Sequence, residues 1–198
     1  GTAPNLTYLG ATNYFGPDSF TFRTDDGSLT STVATVSITL INVNDAPLAN
    51  NQSVTNGEDT SFAITLTGSD VDGPVTHFVV VAGPTQGTLI GTAPNLIYLG
   101  ATNYFGLDGF TFRTDDGSLT SAVATVTITL TNLNDAPLVD AQSVTNAEDT
   151  SFAITLTGGD VDGPVTNFVV VTPPAQGTLS GTAPNLTYLG ATNYFGPD

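Results

Sequence analysis

The stretch that decides the fold carries three acidic turn motifs in order: Asn44-Asp45-Ala46-Pro47, Glu58-Asp59-Thr60 and Asp70-Val71-Asp72-Gly73. The set returns ninety residues later as Asn134-Asp135-Ala136-Pro137, Glu148-Asp149-Thr150 and Asp160-Val161-Asp162-Gly163. A fixed period of this length is the signature of a tandem-repeat architecture. Apolar residues lie between the acidic turns, so the stretch predicts a joint between two β-domains with carboxylates gathered at it.

Apolar and polar residues alternate in several short runs outward from this stretch. One run is 35–40, TVSITL, and its repeat is 125–130, TVTITL. A period of two is typical of a strand with one buried face, and the frequent glycine and proline turns argue against helices. The sequence therefore predicts an all-β fold of tandem β-sandwich repeats, about seven short strands each.

The run 78–81, FVVV, predicts a strand that is buried more fully. The predicted core of the complete repeat consists of Phe62, Ile64, Leu66, Val80, Phe110, Phe112, Val126 and Ile128.

The repeat period divides the chain into three parts. Residues 45–134 are predicted to form one complete sandwich, residues 1–44 the C-terminal half of a repeat, and residues 135–198 the N-terminal half of another. We expect each half to leave apolar faces and sheet edges that a continuing or adjacent chain covers, as in a filament.

The charge balance excludes two classes of partner. The formal net charge is −16, and Arg23 and Arg113 are the only basic residues besides one histidine. Nucleic acid and anionic membrane surfaces both require cationic side chains, so neither is expected as a partner. No apolar run is long enough to insert into a membrane. One repeat, residues 45–134, carries eight acids against one arginine, so a cation from solution is expected to neutralise them.

Divalent-cation chemistry is the first hypothesis for the acidic turns. Asp70 and Asp72 are two residues apart, so in extended chain their side chains point to the same side and can share one cation. Calcium prefers carboxylate and carbonyl oxygens. The alternative is ordinary turn chemistry, because Asp and Gly favour turns without any metal. In Asp115-Asp116-Gly117, Asp116 is predicted to be a turn residue, because Asp-Gly closes hairpins.

The ordered set of motifs carries a family resemblance. Besides those of the opening stretch, it includes Tyr104-Phe105-Gly106-x-Asp108 and Thr114-Asp115-Asp116-Gly117. The chain resembles the bacterial cadherin-like (Ig-like) tandem repeat of large surface adhesins. The resemblance implies Greek-key sandwiches joined end to end, an extracellular or cell-surface location, and calcium at the joints.

Ligands can be carried over from that resemblance position by position. The first joint, at Asn44 and Asp45, would draw on Asp70, Asp72 and Asp115. The second joint, at Asn134 and Asp135, would draw on Glu58 from upstream and on Asp160 and Asp162 from downstream. The linker lacks the leading Asp of the cadherin linker, and the upstream acidic loop has no match beyond the nearby Asn103. One or two calcium ions per joint are therefore expected rather than three.

These observations predict a structural extracellular repeat of a calcium-stiffened surface adhesin or self-assembling filament, with further copies of the repeat as its partners. The alternative is a ligand-binding module that recognises glycans or another cell. Tyr98, Tyr104 and Phe105 could form a sugar-stacking platform, although core packing or a corner tyrosine is the more ordinary role in a sandwich. An enzyme is not expected, because the single histidine, His77, provides neither a metal trio nor a catalytic triad.

Overall fold

The computed structural model describes residues 3–198, and this part of the chain consists of strands, turns and loops without a helix. It divides into two compact units, one that ends at Thr131 and one that spans Asn132–Asp198. The all-β prediction is confirmed. In the first unit the strands are β1 (Gly16–Phe22), β2 (Ala34–Leu40), β3 (Leu48–Ala49), β4 (Gln52–Gly57), β5 (Phe62–Thr65), β6 (Gly68–Ser69), β7 (His77–Ala82), β8 (Gly87–Thr92), β9 (Asn95–Gly100), β10 (Gly106–Asp115) and β11 (Ala124–Thr131).

Residues 48–131 form a sandwich of two main sheets. One sheet has the order β4-β11-β10-β7, the other has the order β5-β9-β8, and β3 pairs with β6. The antiparallel hairpin β10–β11 is the centre of the larger sheet, with a register that runs from Gly106 opposite Leu130 to Phe112 opposite Ala124. Strand β7 joins β10 in antiparallel orientation, and β4 joins β11 in parallel orientation.

The alternating residues of these strands fill the space between the sheets. Tyr98 packs its ring 5.3 Å from the ring of Phe62. Phe62 and Val80 are partly buried against the core, and the other predicted core residues are buried, so the prediction is confirmed. The buried core consists of Ala49, Ile64, Leu66, Leu96, Tyr98, Phe110, Phe112, Ala124, Val126, Ile128 and Leu130.

The prediction for the run 78–81 was wrong. Phe78 and Val80 are partly buried, but Val79 and Val81 are about half exposed, at 43% and 51%. Strand β7 lies at the edge of its sheet, and only one face of that sheet is covered by the other sheet. A continuous apolar run therefore alternates in burial, because the position of the strand in the sandwich decides which side chains meet the core.

The remaining elements of the first unit precede the complete sandwich. Strands β1 and β2 form an antiparallel hairpin in which Gly16 lies opposite Leu40 and Phe22 lies opposite Ala34. This register is the same as that of β10–β11, ninety residues later.

The second unit repeats part of the same plan. Its strands are β12 (Leu138–Val139), β13 (Ser151–Thr155), β14 (Gly158–Gly159), β15 (Gly177–Thr182) and β16 (Asn185–Gly190). Strand β12 pairs with β14, and β13-β16-β15 form a three-stranded sheet with the pairing seen in β5-β9-β8.

Candidate cation site at the repeat joints

The first linker is held to two loops of the complete sandwich. The Asn44 side-chain amide donates to the Asp116 carboxylate at 2.8 Å and to the Asp45 carbonyl at 3.1 Å. The backbone N–H of Asp45 donates to the Asp72 carboxylate at 2.5 Å. Pro47 is buried where the chain enters the sandwich. The linker is therefore fixed by hydrogen bonds to acidic side chains, and we call this set of contacts the linker lock.

The Asp70-Val71-Asp72-Gly73 loop supplies the central part of the linker lock. The Asp72 N–H donates to Oδ1 of Asp70 at 2.8 Å, which is the Asx-turn contact expected of an aspartate two residues upstream. Both carboxylates are half-buried. The second oxygen of Asp70, Oδ2, is buried and accepts no hydrogen bond from the described residues. A buried carboxylate oxygen in that state is a ready acceptor for a cation or a water.

Asp116 has the turn role that was predicted, because its Oδ1 accepts the N–H groups of Ser118 and Leu119, and its other oxygen also reaches the linker. The ligand role of Asp115 stays a prediction. Asp115 Oδ1 accepts the Gly117 N–H at 2.6 Å, which is a turn contact. Asp116 is the residue that reaches Asn44 in the linker. The Leu119 amide, the Asn44 side chain and the Ser118 amide together hold the pKa of Asp116 below its ordinary value, so it stays charged. Spacing within the loop could not show which carboxylate faces the linker, because both point out of a tight turn.

The second linker repeats part of the linker lock within its own unit. Asn134 donates to the Asp135 carbonyl at 2.9 Å, and the Asp135 N–H donates to the Asp162 carboxylate at 2.5 Å. The Asp162 N–H donates to Asp160 Oδ1 at 2.8 Å. The contacts of the linker with its own acidic loop therefore recur in both copies, whereas the contact of Asn44 with Asp116 is found only at the first linker among the described residues.

Glu58 lies away from both acidic loops along the chain. Its carboxylate is buried, with the residue 1% exposed, and its N–H donates to the Thr131 carbonyl at 3.0 Å, at the end of β11. Asp135, Asp160 and Asp162 belong to the second unit, and the predicted convergence of Glu58 with them stays a prediction.

The joint residues fit calcium in donor type but do not form a finished cage. Carboxylate, amide and carbonyl oxygens are the ligands that calcium prefers. Among residues 3–198, no three Asp, Glu, His or Cys side chains converge closely enough to hold a metal ion. A calcium ion at the first joint would be held by Asp70 and Asp72, with the remaining oxygens supplied by Asn44, backbone carbonyls or water.

An open cleft of about 200 Å³ lies beside the first linker. Asn13, Asp45 and Asp72 are among the residues that line this cleft. Asn13 is the counterpart of Asn103, which the sequence analysis placed near the missing upstream acidic loop. Sequence reasoning did not assign Asn13, Tyr14 or Phe15 to the joint. Asn13 has a left-handed backbone, with φ of 57°, a conformation that Asn tolerates in turns. The other lining residues are Tyr14, Phe15, Ile41, Asn42 and Val43.

The aromatic residues considered for sugar stacking have structural roles. Tyr98 is buried in the core, and its hydroxyl donates to Asp108 at 2.7 Å. The Tyr104 hydroxyl donates to the Leu107 carbonyl at 2.8 Å, as a corner tyrosine does. Phe105 remains about half exposed, so a platform of three rings is not formed.

Asp108 organises a separate polar network inside the sandwich. Its carboxylate accepts the N–H groups of Thr85 at 2.9 Å and Gln86 at 3.0 Å as well as the Tyr98 hydroxyl. Burial opposes its charge, but the hydrogen bonds outweigh burial and hold the pKa of Asp108 below its usual value. Burial, and then the bond to Asp108, raise the pKa of Tyr98, which keeps the hydroxyl a donor.

A family model described as a bacterial Ig domain matches residues 44–129 and 134–198. The chain belongs to the bacterial Ig domain family. The two matched segments cover most of the chain, so it contains tandem bacterial Ig domains. A comparison with curated proteins found no match.

Three solved structures are similar to this chain at low sequence identity, and only the first has a TM-score above 0.5. The protocadherin GammaB4 extracellular domain is 19% identical, with a TM-score of 0.52, over 91% of this chain and 35% of that one. An endo-fucoidan hydrolase from glycoside hydrolase family 107 is 16% identical, with a TM-score of 0.39, over 97% of this chain and 34% of that one. The surface layer protein SbsC, domains 1–6, is 13% identical, with a TM-score of 0.28, over 89% of this chain and 25% of that one. The chain thus spans about a third or less of the length of these structures.

The bacterial Ig domains of this chain share their fold with a cadherin extracellular domain, as the sequence motifs predicted. Tandem repeats of this kind indicate an extracellular structural module. In the part of the chain that the structure describes, no helix is long and apolar enough to span a membrane.

Proposed function

We propose that this chain is a structural, non-catalytic segment of a surface adhesin or self-assembling filament, and that calcium stiffens its joints. The observation that supports the proposal most strongly is the linker lock. Asp45 bound to Asp72, and Asp135 bound to Asp162, are the same contact in two successive joints. A segment whose task is to set spacing needs the same joint at each repeat.

Charge explains why a cation would add to this lock. The joint gathers Asp45, Asp70, Asp72 and Asp116, while the one arginine of the repeat, Arg113, lies exposed on β10. Like charges that share a small region repel one another and favour a more open linker. A bound calcium ion would offset that repulsion and would satisfy the buried Oδ2 of Asp70.

The test measures the shape and stability of the chain with calcium, with magnesium and with a chelator. We expect calcium, and not magnesium, to increase the maximum dimension in small-angle scattering and to raise the melting temperature. A ligand present at a hundred times its Kd stabilises the folded state by about 2.7 kcal/mol, which raises the melting temperature of a domain of this size by roughly 10–20 °C.

Matched variants separate calcium binding from ordinary turn chemistry. Asp70→Asn with Asp72→Asn keeps the shape of the loop but removes two charges, so it should abolish the calcium response of the first joint. Asp140→Asn is the control, because it removes a charge from outside the Asp70-Val71-Asp72-Gly73 loop and its counterpart one repeat earlier is already Asn50. If dimensions and melting temperature are the same with calcium and with chelator, the acids act only in turns and the calcium proposal is wrong.

A further inference from the structure

Three segments of the chain have the pattern Asn-X-Ser/Thr, in which X is not proline. They are Asn5-Leu6-Thr7, Asn51-Gln52-Ser53 and Asn185-Leu186-Thr187, and the first is the repeat of the third. This pattern is the acceptor sequence for N-linked sugars, and the linker lock makes no use of it. The pattern is common in any chain rich in Asn, Ser and Thr, so the structure around each Asn decides whether it can serve as an acceptor.

Asn185 presents its side chain as an acceptor requires. It is the first residue of β16, directly after the turn from β15, and it is exposed. Its Oδ1 accepts the Thr155 hydroxyl at 3.2 Å, and its Nδ2 donates to no described residue. Thr187 lies two residues further along the strand and is exposed on the same face, while Leu186 between them is buried. The amide nitrogen and the hydroxyl of the pattern are therefore open to an enzyme from one side.

Asn51 has the same arrangement just before β4. It is exposed, its Oδ1 accepts the Thr125 N–H at 2.7 Å, and its Nδ2 donates to nothing within the part of the chain that the structure describes. Gln52 faces the other sheet, where it donates to the Thr65 carbonyl at 2.9 Å, and Ser53 is exposed like Asn51. In both places the protein holds the amide oxygen and leaves the amide nitrogen available.

The complete sandwich contains the counterpart of Asn185 without the pattern. Asn95 is the first residue of β9, is exposed, and accepts the Thr65 hydroxyl at 3.2 Å, as Asn185 accepts that of Thr155. Ile97 stands where Thr187 stands in the second unit, so the hydroxyl is missing. Asn95 therefore provides a natural control with the same local structure.

The residue across the hairpin changes together with the pattern. Ile97 lies opposite Ile90 in the complete sandwich, whereas Thr187 lies opposite Ser180 in the second unit, with the same register. The outer face of the hairpin is thus apolar where the pattern is absent and carries two hydroxyl-bearing residues where it is present. A polar surface beside the acceptor suits a hydrated sugar, and the backbone is the same in both units.

The two positions that can carry the pattern lie close together in the sandwich. Thr65 links them, because its carbonyl accepts the side chain that follows Asn51 and its hydroxyl donates to Asn95. The complete repeat has the pattern at Asn51 and not at Asn95. The second unit has it at Asn185, and Ala141 occupies the place of Asn51. Residues 45–134 and residues 135–198 therefore contain one such pattern each, at alternative positions of one end of the fold.

We propose that Asn51 and Asn185 are acceptors for an N-linked sugar, so that each repeat carries one glycan at the same end of its sandwich. The co-substrate is a saccharide whose anomeric carbon is activated by a diphosphate, and a glycosyltransferase performs the step. The Nδ2 forms a bond to the anomeric carbon, the bond from that carbon to the diphosphate oxygen breaks, and the oxygen keeps the electron pair. The proton lost from Nδ2 passes to a base of the transferase. The product is a bulky, solubilising group on the surface of each repeat.

Mass spectrometry of peptides from the protein isolated from the cells that produce it tests the proposal. We expect a sugar on the peptides that contain Asn51 and Asn185, and none on the peptide that contains Asn95. The proposal is overturned if either Asn51 or Asn185 is bare in all of the native protein. A sugar on Asn95 would also overturn it, because the Asn-X-Ser/Thr pattern would then not select the site.

Matched substitutions test the role of the hydroxyl on the folded chain, treated with a purified N-glycosyltransferase and UDP-glucose. Thr187→Val should abolish transfer to Asn185, and Ile97→Thr should create transfer to Asn95. Both side chains lie on an outer face, so circular dichroism should be unchanged. A synthetic peptide of residues 183–189 is the control for enzyme activity.

Transfer to the peptide of residues 183–189 but not to the folded wild-type chain would contradict the proposed presentation of Asn185. Transfer to Asn185 that persists in Thr187→Val would contradict the role of the hydroxyl. Neither acceptor belongs to the linker lock, so a chelator leaves the sugar transfer unchanged, and the glycan proposal and the calcium proposal can fail separately.

Discussion

Removal of the Asp108 carboxylate should destabilise the complete sandwich strongly, whereas removal of the equivalent carboxylate, Asp18 in the hairpin β1–β2, should have little effect. Asp108 accepts the Thr85 and Gln86 amides and the hydroxyl of Tyr98, whose side chain is fully buried. Hydrogen bonds to a charged group are worth about 1.5–3 kcal/mol each, and a buried donor left alone costs a similar amount. Water can reach the partly exposed Asp108 site and replace part of this loss. We therefore expect Asp108→Ala to cost about 2 kcal/mol.

The matched control lies in the same molecule. Asp18 makes the equivalent contact with Tyr8 at 2.6 Å, but Tyr8 is 42% exposed and Asp18 accepts no contact equivalent to those from Thr85 and Gln86 among the described residues. Asp18→Ala should therefore leave the unfolding transition almost unchanged, because water replaces the lost partner.

Urea denaturation followed by circular dichroism at a fixed protein concentration measures both variants. Hydrogen exchange then assigns the loss to β9 and β10. The pH dependence gives an independent check, because the folded-state pKa of Asp108 lies below its unfolded value. The stability that Asp108 contributes is present above a pH of about 4 and is lost as the pH falls through its folded pKa. The gap between the wild type and Asp108→Ala should close over that range.

Two outcomes would refute this reasoning. Equal destabilisation by Asp108→Ala and Asp18→Ala would show that burial of the network is not the source of the effect. Full additivity of Asp108→Ala with Tyr98→Phe would show that the two residues do not act through their shared hydrogen bond.

Two further predictions concern close packing and a buried hydroxyl. A Cβ at Gly87 would lie 2.5 Å from the ring of Tyr98, so Gly87→Ala should lower the free energy of unfolding by more than about 1 kcal/mol in urea denaturation. A Cβ at Gly83 would meet nothing within 4 Å, so Gly83→Ala should be neutral or slightly stabilising. Equal effects of the two substitutions would contradict the packing argument. The buried Ser121 hydroxyl accepts the Thr114 N–H at 3.0 Å, so Ser121→Ala should lower the free energy of unfolding by about 1–2 kcal/mol in urea denaturation. The control is Ser31→Ala at the equivalent, exposed position, where hydrogen exchange near residue 31 should change little.

Local sequence accounts for much of the fold and for part of the joint. The alternation in 125–130 placed Val126 and Ile128 in the core, and the hairpin register is the same in β1–β2 and in β10–β11. The turn in which Asp70 accepts the Asp72 amide also recurs in the second unit. These features depend on contacts between residues that are close in sequence, so a short segment contains the information needed to form them.

The assignment of Asp116 to the linker needed the tertiary structure. Asn44 and Asp116 are seventy-two residues apart, and their contact depends on how the sandwich brings the β10–β11 turn to the entry point of the chain. The same holds for the core position of Tyr98 and for its bond to Asp108, which sequence alone left between a stacking platform and a core role.

Nearly identical segments adopt different conformations in the two units, and this difference shows why some features follow from sequence and others only from tertiary structure. Sequence alone determined that 52–57 and 142–147 have the same strand-forming pattern, and likewise 77–82 and 167–172. Only the tertiary structure decided that β4 and β7 become strands, because each pairs with the hairpin β10–β11, while 142–147 and 167–172 do not. An edge strand obtains its hydrogen bonds and its buried face from a neighbour, so its own residues make the strand possible and the neighbour makes it stable.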